Sequence, residues 1–242
     1  MINNLPSQAT LAENIAQVQS NIVQAAERVG RRLDEVTLVA VSKTKPVELI
    51  KQAYHLGLRD FGENRVQDAL PKIAEFRHAE LQPVTWHMIG HLQRNKVNKV
   101  VGSFDSVQSV DNLQLAQALN SHAAELEIRI AVLLQVNVSG EESKEGMTPE
   151  ETSALAQQIT ALPHLDVQGL MTIAPQVQDP EEVRPVFRAL RELRDRLRNQ
   201  VPQSTWHHLS MGMTDDYGIA IEEGATIVRV GRAIFGERAR VS

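Results

Sequence analysis

The chain contains no cysteine. Disulfides, thiolate metal sites and cysteine nucleophiles are thereby excluded together. Positive charge is not in excess. Lys and Arg number 25 against 30 Asp and Glu, a net charge of −5, so the backbone of a nucleic acid is repelled rather than attracted. No apolar run approaches the roughly 18 residues that a membrane helix needs. The opening residues, MINNLPSQATLAENIAQVQS, lack the basic region and apolar core of a signal peptide. The expected compartment is therefore the cytoplasm. Linkers rich in Gly, Ser or Pro are missing, as are low-complexity tracts. One domain over residues 1–242 is expected, with residues 1–34 forming a helix that packs on the rest. Phosphate-loop, dinucleotide and zinc-protease patterns (GxxxxGK[ST], GxGxxG, HExxH) do not occur.

What remains is an ordinary globular composition, 42% hydrophobic and 23% charged. From Ser7 to Val29 the apolar residues Leu11, Ile15, Val18, Ile22, Val23 and Ala26 recur at helical spacing. Gly30 is placed to end that helix. Beyond it, short β-branched runs alternate with longer helical stretches. The strands are predicted at Thr37–Val41, Leu58–Phe61, Thr85–Ile89, Ser106–Val110, Arg129–Val136, Val167–Met171, Trp206–Leu209 and Ile227–Val230. Helices are predicted near 46–56, 64–77, 92–101, 111–124, 149–161, 180–199 and 214–223. Such alternation favours parallel βαβ units. Eight of them in 242 residues predict a single (β/α)8 TIM-type barrel with an extra N-terminal helix. An open doubly wound sheet is the alternative.

Barrels build their sites from the loops that follow the strands. Lys43 follows the first strand in VAVSKTK (39–45). Drawn into the mouth, its desolvated amine could attack a carbonyl; left alone, it would snorkel to solvent. Lys45, just before Pro46, reads as a solvated surface residue. In FGEN (61–64), Asn64 could orient a ring oxygen or cap the next helix. His87, within WHMIGHLQ (86–93), could face a ligand or sit neutral in the core. The loops after strands seven and eight, LSMGMTDDY and VRVGR, lie where barrels often bind phosphate. Ser210, Gly212 and Thr214 offer donors there, in front of a helix expected to start at Thr214. Gly231 lets a backbone N–H come close. Met211 reads most simply as packing, and Asp215 and Asp216 as acids at a helix start.

Seven motifs then stand out together: VAVSKTKP (39–46), FGENRVQD (61–68), WHMIGHLQRNK (86–96), NVSGEESKEG (137–146), GLMTI (169–173), LSMGMTDD (209–216) and VRVGRAIFGER (228–238). They cover nearly the whole chain. They resemble the YggS/PROSC family of pyridoxal phosphate (PLP) homeostasis proteins. The resemblance implies a barrel like the N-terminal domain of alanine racemase. It implies PLP held as a Schiff base on Lys43. It also implies cofactor contacts from Asn64, Ser210 with its neighbours Met211, Gly212 and Thr214, Arg229 and Gly231, with Arg229 facing the pyridine nitrogen; His87, the candidate read from its strand, is expected beside them. Arg65 stands where the family often has an aromatic residue, and Thr214 where serine is common.

An arginine at that nitrogen leaves it unprotonated, which makes the ring a poorer electron sink. Racemases of this kind compensate with a second base from a second domain, and no such domain is expected in a chain ending at Ser242. The tyrosines are Tyr54 and Tyr217; Tyr217 is the better candidate for a base. The expectation is thus a monomeric, non-enzymatic carrier or buffer of PLP with apo-enzymes as possible clients. A weak racemase or lyase, or an aldolase-like barrel using Lys43 on a sugar phosphate, are the alternatives. Lys144, in GEESKEG, is either a solvated lysine or an amine that assists handover.

Overall fold

The computed structural model describes residues 6–81, 83–141 and 144–237. Eight parallel strands close into a barrel in sequence order: β1 (Thr37–Val41), β2 (Asp60–Glu63), β3 (Thr85–Met88), β4 (Ser106–Val110), β5 (Ile130–Gln135), β6 (Leu165–Met171), β7 (His208–Ser210) and β8 (Ile227–Val230). Closure comes from β1 lying against β8, with Val39 opposite Arg229. Around the barrel run α2 (Val47–His55), α3 (Val66–His78), α4 (Val97–Val100), α5 (Leu113–Glu125), α6 (Pro149–Thr160), α7 (Arg184–Gln200), α8 (Tyr217–Glu222) and α9 (Arg232–Phe235), after an N-terminal α1 (Gln8–Arg28). No helix among the described residues is long and apolar enough to cross a membrane.

The barrel wall has two unlike faces, because successive side chains of a strand point to opposite sides. Outward positions such as Leu38, Ala40, Phe61, Trp86, Met88, Leu209, Val228 and Val230 pack into the main core beneath the helices. Inward positions hold a separate small apolar cluster of Val39, Leu133, Met171 and Ile227.

Two strands begin two residues later than predicted, for reasons of helix termination. Leu58 does not start β2. Its N–H bonds Ala53 O at 3.1 Å while Gly57, at φ +102°, turns the chain. This is a glycine-closed helix end. Trp206 does not start β7. It sits at φ +46° with its indole N–H on Val201 O at 2.8 Å, closing off α7. The helix predicted at 92–101 shrinks to a 3-10 turn at Arg94–Lys96 followed by one turn of α-helix. The single turn α9 was not anticipated.

The two helices that finish the barrel, α8 and α9, are six and four residues long. α1 makes good the thin cover. It is 21 residues long, and its buried stripe of Leu11, Ile15, Val18, Ile22, Ala25 and Ala26 packs against α8 and α9. Asn14 Nδ2 donates to Ile234 O at 3.0 Å, and Arg28 pairs with Glu222 at 2.7 Å.

Candidate functional site

The site is assembled at the barrel end where the strands exit. Lys43 leaves β1 half-buried. The next residue, Thr44, is held at φ +63°, a costly conformation for a β-branched side chain. Both sides of this turn are braced. Behind it, Ser42 Oγ donates to Glu63 Oε1 at 2.6 Å, and Lys72 Nζ of α3 donates to that same oxygen at 2.7 Å and to Ser42 O at 2.9 Å. Ahead of it, Lys45 is not the solvated lysine expected from sequence. Its Nζ donates to the carbonyls of Phe235, Gly236 and Glu237 at 2.9, 3.0 and 3.2 Å.

Asn64 follows β2, and Arg65 rather than Asn64 takes the position that opens α3. The loop after β3 lies on the Asn64 backbone. A Cβ at Gly90 would come within 2.4 Å of Asn64 O, so only glycine fits there.

The exits of β7 and β8 are tied together. Arg229 N–H bonds Gly212 O at 3.0 Å, and Arg232 pairs with Asp215 across the two loops. Gly212 stands at φ +93°, where a Cβ would lie 2.6 Å from Ala220 Cβ and 2.9 Å from Tyr217 Cα. Gly231 lies against β1, with space for a Cβ only 3.2 Å from Val41 O. Among the described residues the N–H groups of Gly212, Thr214, Gly231 and Arg232 find no acceptor. Gly212 is buried, Thr214 and Gly231 are half-buried and Arg232 is exposed. Four N–H groups left without a protein acceptor on two adjacent loops suit an anion, since backbone donors withdrawn from water are almost always paired.

The helix start expected to face the anion is displaced, and Met211 is engaged elsewhere. α8 starts at Tyr217, not Thr214, and Asp216 Oδ1 already accepts the Met213 N–H at 2.6 Å. Burial pushes the Asp216 carboxyl up, while that N–H and the charge of Arg229 oppose the rise. Met211 is fully buried and its N–H bonds Ile227 O at 3.1 Å.

Arg229 points into the barrel and is 4% exposed. Its Nη1 donates to Ser210 Oγ at 2.5 Å and its Nη2 to Thr172 O at 2.8 Å. Burial lowers its pKa to about 10, against the pull of Asp216, which leaves it a cation at neutral pH. Three of the five N–H groups of the guanidinium have no acceptor among the described residues. Ser210 faces this interior, not the loop. His87 is also interior, with Nε2 3.0 Å from Asp60 Oδ1 and Nδ1 3.1 Å from Gln108 Nε2. Both of its ring nitrogens are thus engaged by protein. Gln108 was missed in the sequence; the signal was a run of polar residues, Ser106, Gln108 and Ser109, in a parallel strand that helices cover.

Tyr217 OH accepts from Asn21 Nδ2 of α1 at 3.0 Å, so the hydroxyl faces α1. Tyr54 packs edge-on to Phe76 with Arg59 stacked at 4.2 Å. Lys144 Nζ pairs with Glu141 at 2.7 Å; Glu142 and Ser143 of the same motif, and Arg238 of the last, lie outside the described residues.

At the other end of the interior, burial lowers the pKa of His208 to about 4, helped by the neighbouring His207 and His87. The unfolded chain therefore takes up a proton near pH 6.5 that the fold refuses until about pH 4. The sign follows: His208 favours the fold above pH 6.5, and this contribution declines as the pH falls through that window. Melting temperatures measured across it should drop less steeply in His208→Gln than in the wild type.

Comparison with known proteins agrees with this geometry. Residues 14–239 match the family model of the alanine racemase N-terminal domain. The chain is 45% identical over 226 residues to a pyridoxal phosphate homeostasis protein of Aquifex aeolicus, covering 93% of this chain and 97% of the relative. It is 46% identical over 230 residues to the protein of that name in Pseudomonas aeruginosa, covering 95% and 96%. Among solved structures, PipY of Synechococcus elongatus with PLP bound superposes with a TM-score of 0.83 at 38% identity, covering 93% of this chain and 100% of that one. Alanine racemase of Clostridium difficile, at 16% identity and a TM-score of 0.70 over 95% of this chain and 58% of its own, shares the fold. By the extent and identity of these matches, the chain belongs to the family of pyridoxal phosphate homeostasis proteins.

Proposed function

We propose that this protein binds PLP at the exit end of the barrel and holds it in reserve, with Lys43 taking the aldehyde. The observation that carries this reading is the convergence of three features on that end. They are a half-buried lysine on a braced turn, a cluster of N–H donors without acceptors at Gly212, Thr214, Gly231 and Arg232, and a buried arginine between them and the interior. These fit an aldehyde, a phosphate and an aromatic ring nitrogen. The homologous PipY, described with PLP bound, supports the same assignment.

When bound, the cofactor supplies a reactive aldehyde and an electron-withdrawing ring. The protein's part is to bind and orient it. Gly212, Thr214, Gly231 and Arg232 take the phosphate, and Asn64 borders the ring. Arg229 donates to the ring nitrogen. Because a guanidinium has donors only, it leaves that nitrogen without a proton and weakens the electron sink. The tyrosine that could have served as a second base faces α1. Both points favour holding over turnover. In this reading a monomer passes PLP to apo-enzymes in the cytoplasm. Reduction with borohydride tests it: the purified protein should carry a visible absorption band that bleaches on reduction, with the modified lysine mapping to Lys43. A protein that stays colourless with added PLP, or is modified elsewhere, overturns the reading.

A further inference from the structure

Five inward-facing side chains from five strands form one continuous hydrogen-bonded chain across the barrel. Arg229 (β8) reaches Ser210 (β7) at 2.5 Å, and Ser210 reaches Gln108 (β4) at 2.7 Å. Gln108 meets His87 (β3) at 3.1 Å, and His87 meets Asp60 (β2) at 3.0 Å. Gln108 and Ser210 are fully buried, His87 and Arg229 nearly so, whereas the Asp60 side chain is 27% exposed.

The two ends fix the direction of every bond between them. Arginine can only donate, so Ser210 Oγ accepts from it and sends its own hydrogen to Gln108 Oε1. The amide nitrogen of Gln108 then faces His87 Nδ1, which must be an unprotonated acceptor. His87 Nε2 carries the hydrogen and donates to the Asp60 carboxylate. All donors point from the cation to the carboxylate, and the strength of such aligned bonds is mutually reinforcing. Reversing one member would set two N–H groups face to face, or leave the Ser210 hydrogen unpaired in a dry interior.

We infer that Asp60, His87, Gln108 and Ser210 are positioning residues for Arg229, fixing the orientation in which its remaining N–H groups meet the cofactor ring. Asp216 lies near enough to act on the charge of Arg229, but no hydrogen bond joins them among the described residues. Asp216 offsets charge and the chain sets direction. Beside His87 lies His208, itself acted on by Asp166; neither interrupts the chain. The inference rests on Arg229 facing the ring, yet it has a part that needs no cofactor.

The experiment uses full-length protein in two arms. In the first, without PLP, nitrogen NMR of the His87 ring should show Nδ1 bare and Nε2 protonated. Gln108→Leu should turn this into a mixture of forms. Gln108→Glu keeps an acceptor for Ser210 but offers His87 only acceptor oxygens, so Nδ1 should gain a proton. In the second arm, with PLP, Gln108→Leu should shift the visible band and bind about tenfold more weakly, the scale of one hydrogen bond. Gln108→Glu should restore band and affinity, which a purely structural role would not predict. The inference is overturned by a wild-type His87 protonated on Nδ1. It is equally overturned by Gln108→Leu retaining band and affinity, or by Gln108→Glu behaving like Gln108→Leu with PLP. If the wild type binds no PLP, the functional reading fails, and the ring tautomers of wild type, Gln108→Leu and Gln108→Glu still decide whether the chain exists. Should Gln108→Leu not fold, Ser210→Ala, which cuts the same chain one link nearer Arg229, takes its place in the second arm, where unchanged band and affinity overturn the inference.

Discussion

Lys43→Ala is expected to remove the visible band of the PLP-loaded protein completely while leaving the cofactor-free fold intact. Lys43 is half-buried on an exit loop, and substitutions in such places usually change stability by less than about 1 kcal/mol. Its loss removes the amine to which the aldehyde is assigned. A second readout follows from linkage. A ligand at 100 times its Kd adds about 2.7 kcal/mol to the stability of the fold that binds it. The wild-type melting temperature should therefore rise with PLP, and that of Lys43→Ala should rise far less, since only the phosphate and ring contacts survive. A variant that keeps the band would show that another lysine holds the aldehyde. A variant already less stable without PLP would show that Lys43 is part of the scaffold.

Lys72→Met is expected to do the reverse, with a large loss of stability. Glu63 is fully buried and Lys72 nearly so. Glu63 Oε1 accepts from both Lys72 and Ser42, while Oε2 has no partner among the described residues. Removing the ammonium leaves a buried carboxylate with only the Ser42 hydroxyl to offset it, and breaking a buried pair in this way costs about 3–5 kcal/mol. For a chain of this size each kcal/mol corresponds to roughly 2–4 °C, so the melting point should fall by roughly 10 °C. Glu63→Leu combined with Lys72→Met should recover most of it, because an apolar pair of similar volume is often as stable as a buried ion pair. Ser42 would then keep only its long contact of 3.4 Å to Gly62 O. A single variant that melts like the wild type would sink the argument. If the double variant regains stability but binds PLP more weakly, the ion pair also serves the adjacent turn at Lys43 and Thr44.

The fold was legible in the sequence because its helix-facing residues are apolar at regular spacing. Strands β1, β4 and β8 lie where predicted. Strands β2 and β7 were misplaced by two residues because Leu58 and Trp206 are apolar for another reason: they close the helices before them. Of the proposed site, the loop residues Lys43, Gly212, Thr214 and Gly231 stand out in the sequence by their place after a strand. The interior was harder. Ser210 and His87 were noticed as ligand contacts, yet both spend their polar atoms on protein. Gln108 was not noticed at all. Yet a sign is visible in DFGE, TWHM, SVQSV, HLS and IVRV, each of which carries at least one polar residue, with strict alternation in TWHM and HLS. A parallel strand buried on both faces is ordinarily apolar throughout, so polar residues of this kind point to a polar barrel interior. Lys72 could not be found from spacing, since its role depends on a partner nine residues away that shares Ser42.

The extra helix α1 has a consequence for how the chain is made. Its apolar stripe leaves the ribosome well before its partners α8 and α9; Asn14 and Ile234 are 220 residues apart. β1 likewise waits for β8 before the barrel can close. Contacts between such distant segments form slowly, and the surfaces that await them stay exposed to aggregation. During synthesis the nascent chain thus carries an uncovered amphipathic helix until α8 and α9 have emerged, and the loops that gather around Gly212 and Gly231 are completed after the other six strands.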